Sequence, residues 1–167
     1  WAERAAAFAG KVKDLSEWLA NEFRVPGSGF RAGIERTTPD PRPQTPDPIV
    51  TFHDACHLAH AQRITRPPRE LVRAVAGANF VELPESDVCC GSAGSYNLTE
   101  PKMAARLQRR KIDHIIETGA KIVVSTNPGC LLQIQAGLRA AGAHDVRVLH
   151  LADYLDESLG RSGCPKF

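Results

Sequence analysis

The sequence predicts an α/β domain: a small open parallel sheet of about four strands with helices on both faces. An N-terminal helix and a proline-rich linker precede it. Three observations predict this. Short runs rich in β-branched and aromatic residues alternate with longer helical patterns from residue 49 onward. Glycine and proline punctuate the alternation, with Gly77 and Gly119 placed where helices should stop. Each of the first three strand patterns is followed by a loop that carries cysteine.

The elements follow in order. Residues 1–24 read as one helix, because Phe8, Val12, Leu15, Leu19 and Phe23 recur at helical spacing. Residues 25–48 contain six prolines and three glycines and read as a linker or extended loop. The compact domain, 49–160, opens with the strand IVTFH (49–53). A helix opened by Pro67 and Pro68 carries Leu71, Val72 and Val75. NFVELP (79–84) reads as the second strand. A helix with Thr99 as its N-cap runs from there to Gly119. AKIVVST (120–126) is the clearest strand, followed by a helix from about Gly129 to Ala141, the strand DVRVLH (145–150) and a last helix to about Leu159. Residues 161–167 form a tail. Four such units make a Rossmann-like sheet with right-handed crossovers.

The 167 residues suit one domain with a real core. A formal charge of +2 gives no electrostatic footprint for nucleic acid. Arg106, Arg109, Arg110 and Lys111 read as a solvated helix face, with a partner-docking surface as the lesser reading. No apolar run reaches the length of a membrane span, and Trp1 opens an amphipathic stretch unlike a secretory leader. The start at Trp1, with Met103 as the only methionine, suggests a piece of a longer chain.

The cysteines are Cys56, Cys89, Cys90, Cys130 and Cys164. An odd count with an adjacent pair argues against a disulfide framework and for a reduced compartment. Adjacent cysteines seldom bond to each other, since a trans peptide holds their Cα atoms near the short limit for a disulfide. Cys56 falls past the first strand, Cys89 and Cys90 after the second, and Cys130 at the helix entry after the third. In a parallel sheet those loops share the carboxyl edge, where ligands bind. Three readings compete: buried small hydrophobes, a four-coordinate zinc site, or an iron–sulfur centre. Neither zinc knuckles nor the compact ferredoxin run is present. Gly91 and Gly94 allow a nest of backbone amides around sulfur, which favours the cluster slightly, and amides at the helix start near Gly129 should add to it.

Three strings, HDACHLAH (53–60), LPESDVCCGSAGSYNLTEP (83–101) and NPGCLLQIQAGLR (127–139), strongly resemble the cysteine-rich "CCG" domain family. The likeness is greatest to the second copy in glycolate oxidase iron–sulfur subunits and covers about residues 49–155. Relatives include lactate-utilisation, anaerobic glycerol-3-phosphate dehydrogenase and heterodisulfide reductase B-type subunits. The resemblance implies electron transfer: a flavoprotein (FAD) subunit oxidises a 2-hydroxy acid, and this oxidoreductase subunit, inactive alone, passes electrons toward quinone. It implies a cytoplasmic protein, at the inner face of the membrane if peripherally associated with it. It also implies that this chain is the C-terminal portion of a subunit whose ferredoxin motifs and first CCG copy lie ahead. Carried over residue by residue, the cluster ligands are Cys56, Cys89, Cys90 and Cys130. The family's fifth thiolate falls on Asn127, which reads as a helix N-cap or a donor to sulfur. Four thiolates suit a 4Fe–4S cluster, with zinc as the alternative.

His53, His57 and His60 flank Cys56 and read chiefly as loop packing or hydrogen-bond partners of the site, with ligation the lesser reading. Tyr96 reads as packing or as a shield over the crevice. Cys164, in the terminal RSGCPKF, has no partner in the pattern. Two rival functions remain open: a zinc-stabilised assembly module, and thiol–disulfide chemistry of the heterodisulfide reductase kind.

Overall fold

The computed structural model describes residues 1–24 and 47–161. The expected linker falls almost wholly outside the described residues, as does nearly all of the tail, with Cys164.

The N-terminal region is two helices, α1 (Ala2–Ala9) and α2 (Leu15–Arg24), where one was expected. The break has a local cause. Asp14 Oδ1 accepts from the Ser16 amide at 2.8 Å, and Glu17 Oε2 accepts from the Asp14 amide at 3.3 Å. This reciprocal pair starts a new helix at DLSE, so the apolar spacing across Gly10 belongs to two separate rods. α1 buries nothing, and Phe8 and Val12 are exposed. α2 docks Ala20 and Leu19 against the main core.

The sheet holds three parallel strands in the order β1 (Val50–His53), β2 (Ile122–Ser125), β3 (Arg147–His150). Val50 pairs with Ile122 and Ile122 with Arg147, so His53, Ser125 and His150 end the strands side by side. The expected second strand is reduced to one parallel bridge, Val50 to Phe80, on the free side of β1. The Val81 amide donates to the Val50 carbonyl at 2.9 Å, but the Val81 carbonyl is taken by the Thr51 hydroxyl at 2.8 Å. A side chain has replaced the next backbone rung. Pro84 then has no N–H to offer, and the ladder stops.

Helices cover both faces, as expected. On one, Val50, Phe52, Ile122 and Val124 pack with Leu71 and Val72 of α3 (Arg66–Ala76) and with Leu151, Tyr154 and Leu155 of α7 (Leu151–Arg161). On the other, Val123 packs with Ile112 and Ile115 of α5 (Pro101–Glu117) and with Ile134 and Leu138 of α6 (Pro128–Ala140). Each fully buried side chain of this size contributes about 1.5–3 kcal/mol. Thr99 is not the cap of α5: it ends a separate short helix, α4 (Tyr96–Thr99), and Glu100 holds the N-cap position. Lys111 corrects the solvated-face reading. Arg106, Arg109 and Arg110 are exposed, but Lys111 is 2% exposed.

This topology fixes the site. From β1 the chain crosses by α3 to Phe80 on one side. It then returns by α5 to β2 on the other. The two crossovers leave from opposite faces, and the strand order reverses between β1 and β2. At such a switch point the loops after the two strands diverge and leave a crevice at the carboxyl edge.

Candidate metal centre

β1 ends at His53, and the chain passes through Asp54 and Ala55 into Cys56, which leads a π-helical turn (His57–Ala61). Asp54 anchors this exit. Its Oδ2 accepts from Arg69 Nη2 at 2.8 Å and from Ser86 Oγ at 2.7 Å, while its amide donates to the Ser86 carbonyl at 3.1 Å. Arg69 Nε also reaches Glu82 at 3.1 Å. The loop leading to Cys89 is thereby tied to the end of β1.

Cys89 and Cys90 follow, and the chain then curls back over the pair. The Gly91 amide donates to Cys89 Sγ at 3.3 Å. The Ala93 and Ser92 amides favour negative charge on Cys89 and Cys90 respectively. Positive φ angles at Gly91 (+90°), Ala93 (+32°) and Gly94 (+61°) produce this curl. Gly91 is required for a second reason: a Cβ there would collide with the Ala104 carbonyl of α5. Of the nest expected from the glycines, the Gly91 amide reaches a sulfur.

Cys130 sits in the first turn of α6. Asn127 is the N-cap, its Oδ1 accepting from the Cys130 amide at 3.2 Å, and its Nδ2 faces His57 Nδ1 at 3.2 Å. The N-cap reading of Asn127 holds. The amide of Cys130 therefore serves the cap and is not free for sulfur. Ser92 Oγ lies over Gly129, with no room for a Cβ between them, so the cysteine-pair loop is seated on the start of α6.

Cys90 and Cys130 are both buried, at 1% and 6% exposure, and Cys56 and Cys89 are half-buried. All four are free thiols. Their electrostatics are coupled. The closeness of Cys130, and then of His53, pulls Cys90 down to about 4 against the cost of burial. Cys130 is pushed up by Cys90, with burial and the neighbouring thiolates adding to the effect. Cys89 is raised by burial, opposed by the Gly91 amide. Beneath the pair, Lys111 Nζ donates to the Glu85 carbonyl. Burial lowers its pKa, while negative charge on Cys90 works to keep it protonated.

Three donors come closest: His53, Cys90 and Cys130, whose ligating atoms lie within 4.8 Å of one another. His53 is 1% exposed, and its Nδ1 has no hydrogen-bond partner. His57 and His60 are exposed and partnered, His57 by Asn127 and His60 Nε2 by the Asp87 carbonyl at 3.0 Å. The sequence weighed the three histidines alike. The pleat would have separated them in part, since His53 must face opposite to Phe52. Tyr96 is half-buried at the start of α4. A surface hollow of about 700 Å³ lies along α5 and is lined by Arg106, Arg109, Arg110 and His114, apart from the cysteines.

Soft thiolate donors, inward amides, a compensating buried cation and an orphaned ring nitrogen fit a thiolate-bound metal or iron–sulfur centre. Residues 50–135, just over half the chain, match the cysteine-rich CCG domain family. The chain belongs to that family. Among curated relatives, a probable glycolate oxidase iron–sulfur subunit of Bacillus subtilis is 38% identical over 96% of this chain and 33% of its own length. A lactate utilization protein A of Oceanobacillus iheyensis is 28% identical over 93% of the chain and 58% of its own length. One subunit of the fumarate reductase (CoM/CoB) from Methanothermobacter marburgensis is 34% identical over 64% of the chain and 22% of its own length. The chain thus spans a third of the first relative and less than two thirds of the others. This CCG chain has no helix, among the described residues, long and apolar enough to cross a membrane.

Proposed function

We propose that this CCG chain is an iron–sulfur electron-transfer module of a 2-hydroxy-acid-oxidising complex of the glycolate oxidase kind. Cys56, Cys89, Cys90 and Cys130 would hold one 4Fe–4S cluster, whose chemistry is one-electron transfer. The observation that carries the reading is the meeting of Cys90 and Cys130 with His53 at the switch point between β1 and β2, with Cys56 and Cys89 in the loops beside them and the Gly91 amide directed at Cys89. The similarity to an iron–sulfur subunit supports it.

The chain's own residues bind and tune. Cys90, its pKa drawn down by Cys130 and His53, offers the first anchor, and the Gly91 amide stabilises negative charge on Cys89. Lys111 places a buried cation beneath that charge. Helices α5 and α6 exclude water from Cys90 and Cys130. The domain, residues 49–160, would receive electrons from a flavoprotein (FAD) subunit and pass them toward quinone, at the cytoplasmic face of the membrane. Hydroxy-acid oxidation itself would belong to the flavin partner.

The test is iron, zinc and acid-labile sulfide content of the chain purified without oxygen, with low-temperature EPR before and after dithionite. About four irons and four sulfides, with a signal that changes on reduction, are expected. Stoichiometric zinc without sulfide, persisting through iron reconstitution, overturns the electron-carrier reading and leaves an assembly module.

A further inference from the structure

We infer that His53 is a ligand of the metal centre, binding iron through a ring nitrogen beside Cys90 and Cys130. The inference rests on the iron–sulfur reading above and amends its ligand set: each iron of a 4Fe–4S cluster takes one protein donor, so His53 stands in for one of the two half-buried thiolates, Cys56 or Cys89.

The first observation is burial without a partner. His53 is 1% exposed, and its Nδ1 is sealed from solvent with no hydrogen bond. A buried polar nitrogen left unpaired keeps the full cost of its desolvation. Nearly all such atoms in folded proteins are satisfied by protein, water or a bound ion.

The second is aim. The ring's ligating atom lies within 4.8 Å of the sulfurs of both Cys90 and Cys130, close enough for all three to meet one ion. The backbone holds it there. His53 is the last residue of β1, in register with Ser125, whose hydroxyl donates to the His53 carbonyl at 2.9 Å. The next residue, Asp54, is fixed by Arg69 and Ser86. Preorganisation of this kind is what a metal ligand needs.

The third is elimination among neighbours. Asn127, which stands where the family pattern calls for a further thiolate, spends its Oδ1 on the Cys130 amide and its Nδ2 on His57. His57 is engaged by that amide, and His60 by the Asp87 carbonyl. Imidazole is an established iron donor in place of thiolate and raises the reduction potential where it does so.

The experiment uses the whole iron-loaded chain, reduced with dithionite, in natural-abundance and ¹⁵N-histidine-labelled forms, read by pulsed EPR. A directly bonded nitrogen couples strongly to the cluster spin, and a hydrogen-bonded one only weakly. Strong coupling that switches isotope on labelling, and disappears in His53→Cys while iron and sulfide stay bound, is the expected result. His57→Ala and His60→Ala should leave it in place. A loaded cluster with weak or no histidine coupling overturns the ligation while leaving the iron–sulfur reading intact. Coupling that survives in His53→Ala or His53→Cys also overturns it. A chain that takes up no iron and sulfide brings down both readings together.

Discussion

Cys90 and Cys130, delivered by different loops to one buried spot, bring their sulfurs within 4.8 Å of one another, close enough for Cys130 to lower the pKa of Cys90. Neither loop alone has this property. It exists because the loop after Phe80 is laid across the first turn of α6, with Ser92 seated on Gly129.

The metal-free chain should therefore contain a thiolate at unusually low pH. An ordinary cysteine titrates near 8.5. Thiolate absorbance in the ultraviolet should persist down to about 4, the value to which Cys90 is pulled. Cys90→Ser should abolish this acid-range step. A chain whose thiols all titrate in the ordinary range contradicts the pairing.

Iron retention should depend on the site cysteines. Losing a group that merely supports a ligand costs about 10–100-fold in metal affinity, and losing a ligand should cost at least as much. Single serine variants of Cys90 and Cys130, and of at least one of Cys56 and Cys89, should lose iron and sulfide on gel filtration, whereas Cys164→Ser should retain both. A variant of the first four that keeps full stoichiometry removes that residue from the ligand set.

Two glycines in the same loop should respond differently to alanine. At Gly91 the new Cβ meets the Ala104 carbonyl in addition to the strain of φ +90°. The destabilisation should reach about 2–4 kcal/mol, in the range of the large point-mutant effects. At Gly94, φ is +61° with open space around the Cβ, so only the left-handed backbone cost of about 1–2 kcal/mol applies. Urea unfolding of the two variants measures the gap, and equal losses would refute the close-approach argument.

The Asp54–Arg69 pair should matter far more than the exposed ion pairs. Asp54 is 5% exposed at its side chain, and Arg69→Leu leaves that carboxylate buried without its cation. The expected loss is about 3–5 kcal/mol. Glu82→Gln, at an acid 46% exposed, should cost less than about 1 kcal/mol. Thermal melts of both variants check the order, and a mild Arg69→Leu phenotype rules out the anchoring role.

Asn127→Ala should cost about 1 kcal/mol, the usual value of an N-cap. It also frees the Cys130 amide and releases His57. Circular dichroism melts measure the stability change. A loss above about 3 kcal/mol, beyond the usual range for a cap, would mean that Asn127 does more than cap the helix.

Much of the architecture was legible because it is written locally. Residues 120–126 could only be a buried strand, and residues 101–117 carry a helical period that ends at Gly119. The break at Gly10 was legible too, in the DLSE capping pattern, but apolar spacing concealed it. Phe80 was a different matter. Its segment has strand composition, and what ends its pairing is Thr51, which claims the Val81 carbonyl from the neighbouring strand.

By itself, then, the sequence determined an α/β chain with cysteines after successive strand ends, because hydrophobic period, capping and turn chemistry act over a few residues. Tertiary structure alone decided which groups share one pocket: that Lys111 is buried near Cys90, that Cys130 lies against it, and that His53 of three histidines turns inward. Both faces of a parallel sheet are covered, so alternation along β1 assigns His53 a face without saying what waits there. That is settled only when α5 and α6 close over it and water is excluded from the sulfurs.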